Sequence, residues 1–86
     1  MQVQIDVLQE DIDKNGKFCT NCPIALALKR KFINKTPTVM FSQFWFQDDG
    51  IKQYKLPDIA YQFRDTYDVS GPKAVKPISF SFDYEE

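Results

Sequence analysis

The chain has 86 residues, 43% of them hydrophobic and 15% aromatic, and its eight phenylalanines supply much of the apolar surface. This composition excludes a disordered chain and fits one domain, residues 1–86, with a single small core. Eleven basic and twelve acidic residues give a net charge of −1, which argues against non-specific nucleic-acid binding because such binding needs a positive surface.

The sequence has no feature that directs it to a membrane. No apolar stretch approaches the roughly 20 residues that cross a bilayer, and the first residues carry neither a basic patch nor a small-residue cleavage site. We therefore expect a cytoplasmic protein without a membrane partner. In that compartment a pair of cysteines is more often two thiols or two metal ligands than a disulfide.

The first part of the chain predicts a strand and a short turn. Val3, Ile5 and Val7 alternate with polar residues, which is typical of a half-buried strand. The acidic segment from Glu10 to Gly16 predicts a turn, with at most one helical turn and with Ile12 facing inward.

A first helix is predicted to begin at Pro23. Proline fits the first helical position, and the residue before it is pushed out of the helical conformation, so Cys22 is the expected N-cap. One apolar face follows at helical spacing, formed by Ile24, Ala25, Leu28 and Phe32.

The middle of the chain predicts one long strand and a hairpin. The strand runs from Thr38 to Phe46, Asp48-Asp49-Gly50 forms the turn, and residues 51–55 return antiparallel. Alternation along the long strand assigns one set of side chains to the core (Val39, Phe41 and Trp45) and the other to the outside (Met40, Phe44 and Phe46).

The last part predicts a helix, a loop and a strand. Pro57 begins the helix, whose inner face is formed by Ile59, Ala60, Phe63 and Tyr67. Residues 68–76 are expected to be a loop. The final strand alternates through Ile78, Phe80, Phe82 and Tyr84.

The resulting order is β-α-β-β-α-β, which predicts an α+β fold. It is the order of the ferredoxin-like split βαβ arrangement, in which two helices cover one face of a four-stranded antiparallel sheet.

The run from Cys22 to Leu28, CPIALAL, resembles a known family when it is taken with Leu56-Pro57 and the C-terminal Phe80-Ser81-Phe82. The family consists of small, mostly phage-borne uncharacterised proteins marked by a CPIALAL segment. The resemblance implies a phage or prophage origin and a role inside a bacterial host cell, and it carries no activity.

Cys19 and Cys22 form a CxxC spacing that leaves three interpretations open. A thiol at a helix start can have a lowered pKa and act in redox chemistry. Two thiolates can also supply half of a zinc site, completed by a second copy or by carboxylates such as Asp11 or Asp13. The third interpretation, that the pair only packs the loop over the first helix, is the one we favour.

The aromatic hairpin is the predicted functional surface. Rings on both faces of one β-ribbon exceed what helices on one side can cover, and such a patch usually marks an interface. The alternative is that a bulge or a long loop buries both faces. We expect a non-enzymatic protein without a cofactor that binds a host protein or itself, as a homodimer, through Phe44, Trp45, Phe46, Lys52 and Tyr54. The chain has no histidine, so catalytic triads are excluded. A weaker alternative is single-strand nucleic-acid binding through Trp45, Tyr54, Lys52 and Lys55.

Overall fold

The computed structural model describes residues 1–50 and 52–85. Within these ranges the elements are β1 (Gln2–Val7), α1 (Gln9–Asp13), α2 (Pro23–Lys31), β2 (Pro37–Met40), β3 (Gln43–Phe46), a 3₁₀ turn (Gln47–Asp49), β4 (Gln53–Lys55), α3 (Asp58–Ser70), a second 3₁₀ turn (Pro72–Ala74) and β5 (Ile78–Asp83). Ile51, where the return strand was predicted to begin, lies outside the described residues. None of the helices in these ranges has the length and apolar character needed to span a membrane.

The N-terminal elements confirm the sequence-based predictions. β1 alternates between exposed and buried residues, and α1 carries Ile12 into the core. α2 begins at Pro23, and Cys22 occupies the N-cap in an extended conformation. α2 packs against β1 and β2, while α3 packs against β5.

The predicted strand from Thr38 to Phe46 is in fact two strands joined by a tight turn. β2 and β3 pair antiparallel, with Met40 opposite Gln43, so Phe41 and Ser42 form the whole connection. Phe41 has a φ of 56°, in the left-handed region, which reverses the chain within two residues.

For the residues that follow the turn, the predicted inward and outward faces are exchanged. Val39 lies opposite Phe44 across the hairpin, and residues directly opposite share a sheet face, so both side chains face the core. Phe44 and Phe46 are therefore buried, and the prediction that they face outward is wrong. Phe41 is exposed and Trp45 half-buried, so their assignment to the core is wrong as well.

The described strands form two antiparallel sheets, β1-β5 and β2-β3-β4, which confirms the α+β class. The single four-stranded, ferredoxin-like sheet is not found in residues 1–50 and 52–85. β1 and β5 bond to each other along six residue pairs. β4 ends after three residues, and the N–H that follows, on Leu56, donates to Ser42 O at 2.8 Å, back towards the first hairpin.

Aromatic rings join the two sheets in one core cluster. Phe44 meets Phe82 of β5 edge to face, with ring centroids 4.9 Å apart, and stacks on Tyr54 at 5.4 Å. Edge-to-face and offset-stacked pairs are the favourable aromatic geometries. The rings of the hairpin thus hold the sheets together instead of facing solvent.

α3 buries most of its predicted face and is longer than predicted. Ala60, Phe63 and Tyr67 are buried, whereas Ile59 is half exposed. The helix continues to Ser70, beyond the predicted start of the loop, and ends at Gly71, whose φ of 85° suits glycine.

Candidate partner-binding cleft

Three of the predicted contact residues belong to the core. Phe44 and Phe46 are 0% exposed and Tyr54 is 8% exposed. A ring enclosed on this scale has no surface to offer a protein partner or a nucleic-acid base. Tyr54 in particular is enclosed by Phe44 and Phe82, which removes the base-stacking platform of the nucleic-acid alternative.

Trp45 and Lys52 remain accessible, but they do not form a cluster with the other three. Trp45 lies opposite Thr38 and Gln53, on the face of the β2-β3-β4 sheet that points away from the aromatic cluster. Lys52 is half-buried and forms an ion pair with Glu85.

The two cysteines are free thiols, and they differ in burial: Cys19 is partly exposed and Cys22 is buried. Cys22 is buried, and burial raises the pKa of its thiol. The backbone N–H groups of Ala25 and Ile24 and the charge of Arg64 act in the opposite direction but do not outweigh it. The lowered pKa that the redox interpretation assumes is therefore not found at Cys22, because removal from water dominates over the helix terminus.

A metal site within one chain finds no support in the described part of the molecule. Among these residues no group of three or more His, Cys, Asp or Glu side chains could hold an ion. Asp11, considered as a zinc ligand, is already bound to Arg30 through both oxygens at 2.8 Å.

A cleft of about 560 Å³ lies between the 16–22 loop, β2 and the C-terminal part of α3, a size typical of ligand-binding sites. Its lining includes Phe18, Cys19, Cys22, Val39, Arg64, Tyr67, Asp68 and Val69. Buried Cys22 and Val39 contribute apolar surface, and charged side chains line the same space. The CxxC pair therefore contributes to the wall of a cleft as well as to the start of a helix.

Hydrogen bonds within the 16–22 loop hold the backbone of Phe18 in place. The Phe18 N–H donates to Asn21 Oδ1 at 2.9 Å, and the Cys22 N–H donates to Phe18 O at 3.0 Å. The loop closes tightly because Gly16 has no side chain: a Cβ there would lie 2.0 Å from Asn21 O. The ring of Phe18 is nevertheless 73% exposed, so an ordered backbone presents it to solvent.

Further hydrogen bonds fix the loop against the rest of the fold. The Val39 N–H donates to Cys19 O at 2.9 Å, which attaches the loop to the edge of β2. The Tyr67 hydroxyl donates to Gly16 O at 2.8 Å, which attaches it to α3. Both walls of the cleft are thus linked through the loop.

Phe41 does not line the cleft but contacts one residue that does, and its backbone has a strained conformation. The guanidinium carbon of Arg64, a residue that lines the cleft, lies 5.9 Å from the centre of the Phe41 ring. A residue with a Cβ loses about 1–2 kcal/mol in the left-handed region, and an exposed cation–π contact returns about 0.5–1 kcal/mol. Because the ring is 71% exposed, burial does not offset the remainder.

We call this surface the cleft face: it consists of the cleft, the lining residues Phe18, Arg64 and Val69, and Phe41, whose ring lies over Arg64. Sequence reasoning missed all four residues. The helical period of α3 could have indicated Val69, because it falls outside the face formed by Ala60, Phe63 and Tyr67. Phe18 and Phe41 lie in connections, where no period distinguishes an exposed ring from a buried one.

Comparisons with known proteins add no assignment. No protein-family model matches the chain, and no curated protein or solved structure matches it either. The cleft face therefore has to be interpreted from its own chemistry.

Proposed function

We propose that this chain is a non-enzymatic interaction protein that binds a protein partner through the cleft face. This function is the one predicted from the sequence, but the contact surface is the cleft face and not the aromatic hairpin. Phe44, Phe46 and Tyr54 have no part in it because they are core residues.

One observation carries the proposal. Among residues 1–50 and 52–85, the four most exposed large apolar side chains are Val69 (80%), Phe18 (73%), Phe41 (71%) and Ile33 (71%). Three of these four belong to the cleft face. Single exposed apolar residues are ordinary on a protein surface, whereas several around one cleft are typical of an interface.

Order in the backbone supports the same function. A loop whose backbone is already ordered loses less conformational freedom on binding, and aromatic anchors often dominate the energy of protein contacts. The backbone of Phe18 is held by hydrogen bonds with the Asn21 side chain and the Cys22 N–H. The resemblance to phage-borne proteins is the reason to seek the partner in the cytoplasm of a bacterial host.

The test compares binding by matched variants. The wild-type chain and a Phe18→Ser/Val69→Ser variant are used to capture proteins from a bacterial lysate, and each retained protein is purified and titrated calorimetrically. We expect at least a tenfold loss of affinity in the double variant. Ile33→Ser is the control, because it removes an equally exposed apolar side chain outside the cleft lining.

A partner that binds the wild-type and the double variant equally would contradict the proposal. A loss of binding in Ile33→Ser as large as in the double variant would contradict it as well. Circular dichroism of each variant verifies that the fold is retained, which is expected because all three substituted side chains are exposed.

A further inference from the structure

The cleft face carries a projection and a cavity side by side. Phe41 projects at the tip of the β2–β3 turn, with most of its ring in solvent. Arg64 lies beneath that ring and also lines the cleft. The projecting ring and the cavity therefore share Arg64 as a neighbour.

The position of Phe41 is unfavourable within one chain. Glycine would adopt a φ of 56° without strain, and the exposed ring contributes little to the core. The two-residue turn requires this positive φ but not an aromatic side chain, and residues held in strained conformations cluster at functional sites. The ring of Phe41 thus has more to gain from a contact outside its own chain than inside it.

The charges of this face do not oppose a second copy of the same face. The cleft lining combines the cations Lys17 and Arg64 with the anion Asp68, and Arg64 Nη2 lies 3.1 Å from Asp68 Oδ2. A face with both signs has no marked preference for a strongly acidic or strongly basic partner. The net charge of −1 also gives two copies almost no long-range repulsion.

We infer that the partner of the cleft face is a second copy of this chain, in a twofold dimer in which each Phe41 enters the cleft of the other copy. A twofold interface brings one patch against itself, so a ring and a cavity that are neighbours on one copy meet their counterparts on the other. Val69 and Phe18 then contact the inserted ring. This inference rests on the proposed function and names its partner.

Sedimentation equilibrium of the full chain tests the dimer directly. The wild-type chain is expected to dimerise at micromolar concentration, and Phe41→Gly is expected to weaken the dimer at least tenfold. Because glycine relieves the strained turn, the unfolding midpoint of this variant in urea should be equal to or above that of the wild type when both are measured at a concentration low enough for the wild type to be monomeric, where dimerisation adds nothing to stability. A loss of dimer without a loss of stability cannot be attributed to misfolding. Ile33→Ser should leave the dimer unchanged.

Mixing two defective variants tests the exchange of rings. Phe41→Gly keeps the cleft and lacks the ring, whereas Val69→Arg keeps the ring and places a charged side chain in the cleft. Each variant alone loses both ring–cleft contacts, and a mixed dimer retains one. We expect the mixture to associate more tightly than either variant alone.

A wild-type chain that stays monomeric up to about 1 mM would overturn the inference, as would a Phe41→Gly variant that dimerises like the wild type. A mixture that associates no better than its components would overturn the exchange. If the chain is monomeric but Phe18→Ser/Val69→Ser still loses a lysate partner, the proposed function stands and only the identity of the partner is wrong.

Discussion

The substitution Asp11→Asn tests how the N-terminal half is held together. The Asp11 side chain is 1% exposed, and both its oxygens accept hydrogen bonds from Arg30 at 2.8 Å. One of them also accepts from the Leu8 N–H at 2.9 Å. The same guanidinium donates to Asp6 O at 2.8 Å. Asp11 and Arg30 therefore connect α1, α2 and β1 at one point.

The expected destabilisation follows from these contacts. Separating a buried ion pair costs about 3–5 kcal/mol, and a hydrogen bond to a charged group contributes about 1.5–3 kcal/mol. Because the Arg30 side chain is 41% exposed, water can hydrate its charge once Asp11 is replaced. The expected loss is therefore smaller than for a fully buried pair and lies in the range of one hydrogen bond to a charged group. We expect Asp11→Asn to lower the free energy of unfolding by about 2 kcal/mol. With a slope near 1 kcal/mol/M, the urea midpoint falls by about 2 M.

The pH dependence gives a second, independent measurement. Burial by itself raises the pKa of Asp11, but the bonds from Arg30 and from the Leu8 N–H outweigh it, so the net pKa is lowered. A lowered folded-state pKa means that the stabilisation is complete above the unfolded value of about 3.9 and disappears as the pH falls through the folded value. The stability gap between wild type and Asp11→Asn should therefore be constant at neutral pH and close on acidification.

The control is Asp13→Asn on the same helix. Asp13 is exposed, and the structure gives its side chain one contact, from Gln9 Nε2 at 2.8 Å. We expect a change below about 0.5 kcal/mol at pH 7. Equal midpoints for wild type and Asp11→Asn at pH 7, or a gap that persists unchanged to about pH 2, would refute the reasoning.

Two further predictions concern the core and the thiols. Phe46→Ala should lower the free energy of unfolding by about 3–5 kcal/mol, because Phe46 is 0% exposed, whereas Trp45→Ala should lower it by clearly less. Urea unfolding followed by circular dichroism compares the two variants. Equal losses would contradict the finding that Phe46 faces the core and Trp45 does not. In a thiol titration with an aromatic disulfide reagent, Cys19 should react first and the buried Cys22 only slowly until the chain is unfolded; two equally fast thiols in the native protein would contradict the raised pKa of Cys22.

The sequence predicted elements wherever local chemistry determines the conformation. Pro23 and Cys22 define the start of α2, and the alternation from Ile78 to Tyr84 indicates both the last strand and its inner face. These signals depend on steric restriction of the residue before proline and on a period of two, and neither needs knowledge of distant residues.

The β2–β3 turn could not be predicted in this way. Turns of two residues normally show Asn, Asp or Gly, whereas here Phe41 and Ser42 connect the strands. Without that signal a continuous strand is the simplest interpretation, and an undetected two-residue turn inverts the face of every later residue in the strand. One missed turn thus moved Phe44 and Phe46 from the core to the predicted surface.

The burial of these rings also explains why the predicted site and the candidate site in the structure differ. The aromatic content indicated more apolar surface than one sheet face could bury, but β5 supplies a second layer, and Phe82 and Tyr84 enclose the hairpin rings. Two of the most exposed apolar side chains, Phe18 and Phe41, lie in connections, where no sheet or helix period requires them. An exposed ring at such a position is not part of the alternating pattern of buried and exposed side chains that stabilises the sheets. It is therefore stronger evidence for a binding surface than a ring within a strand.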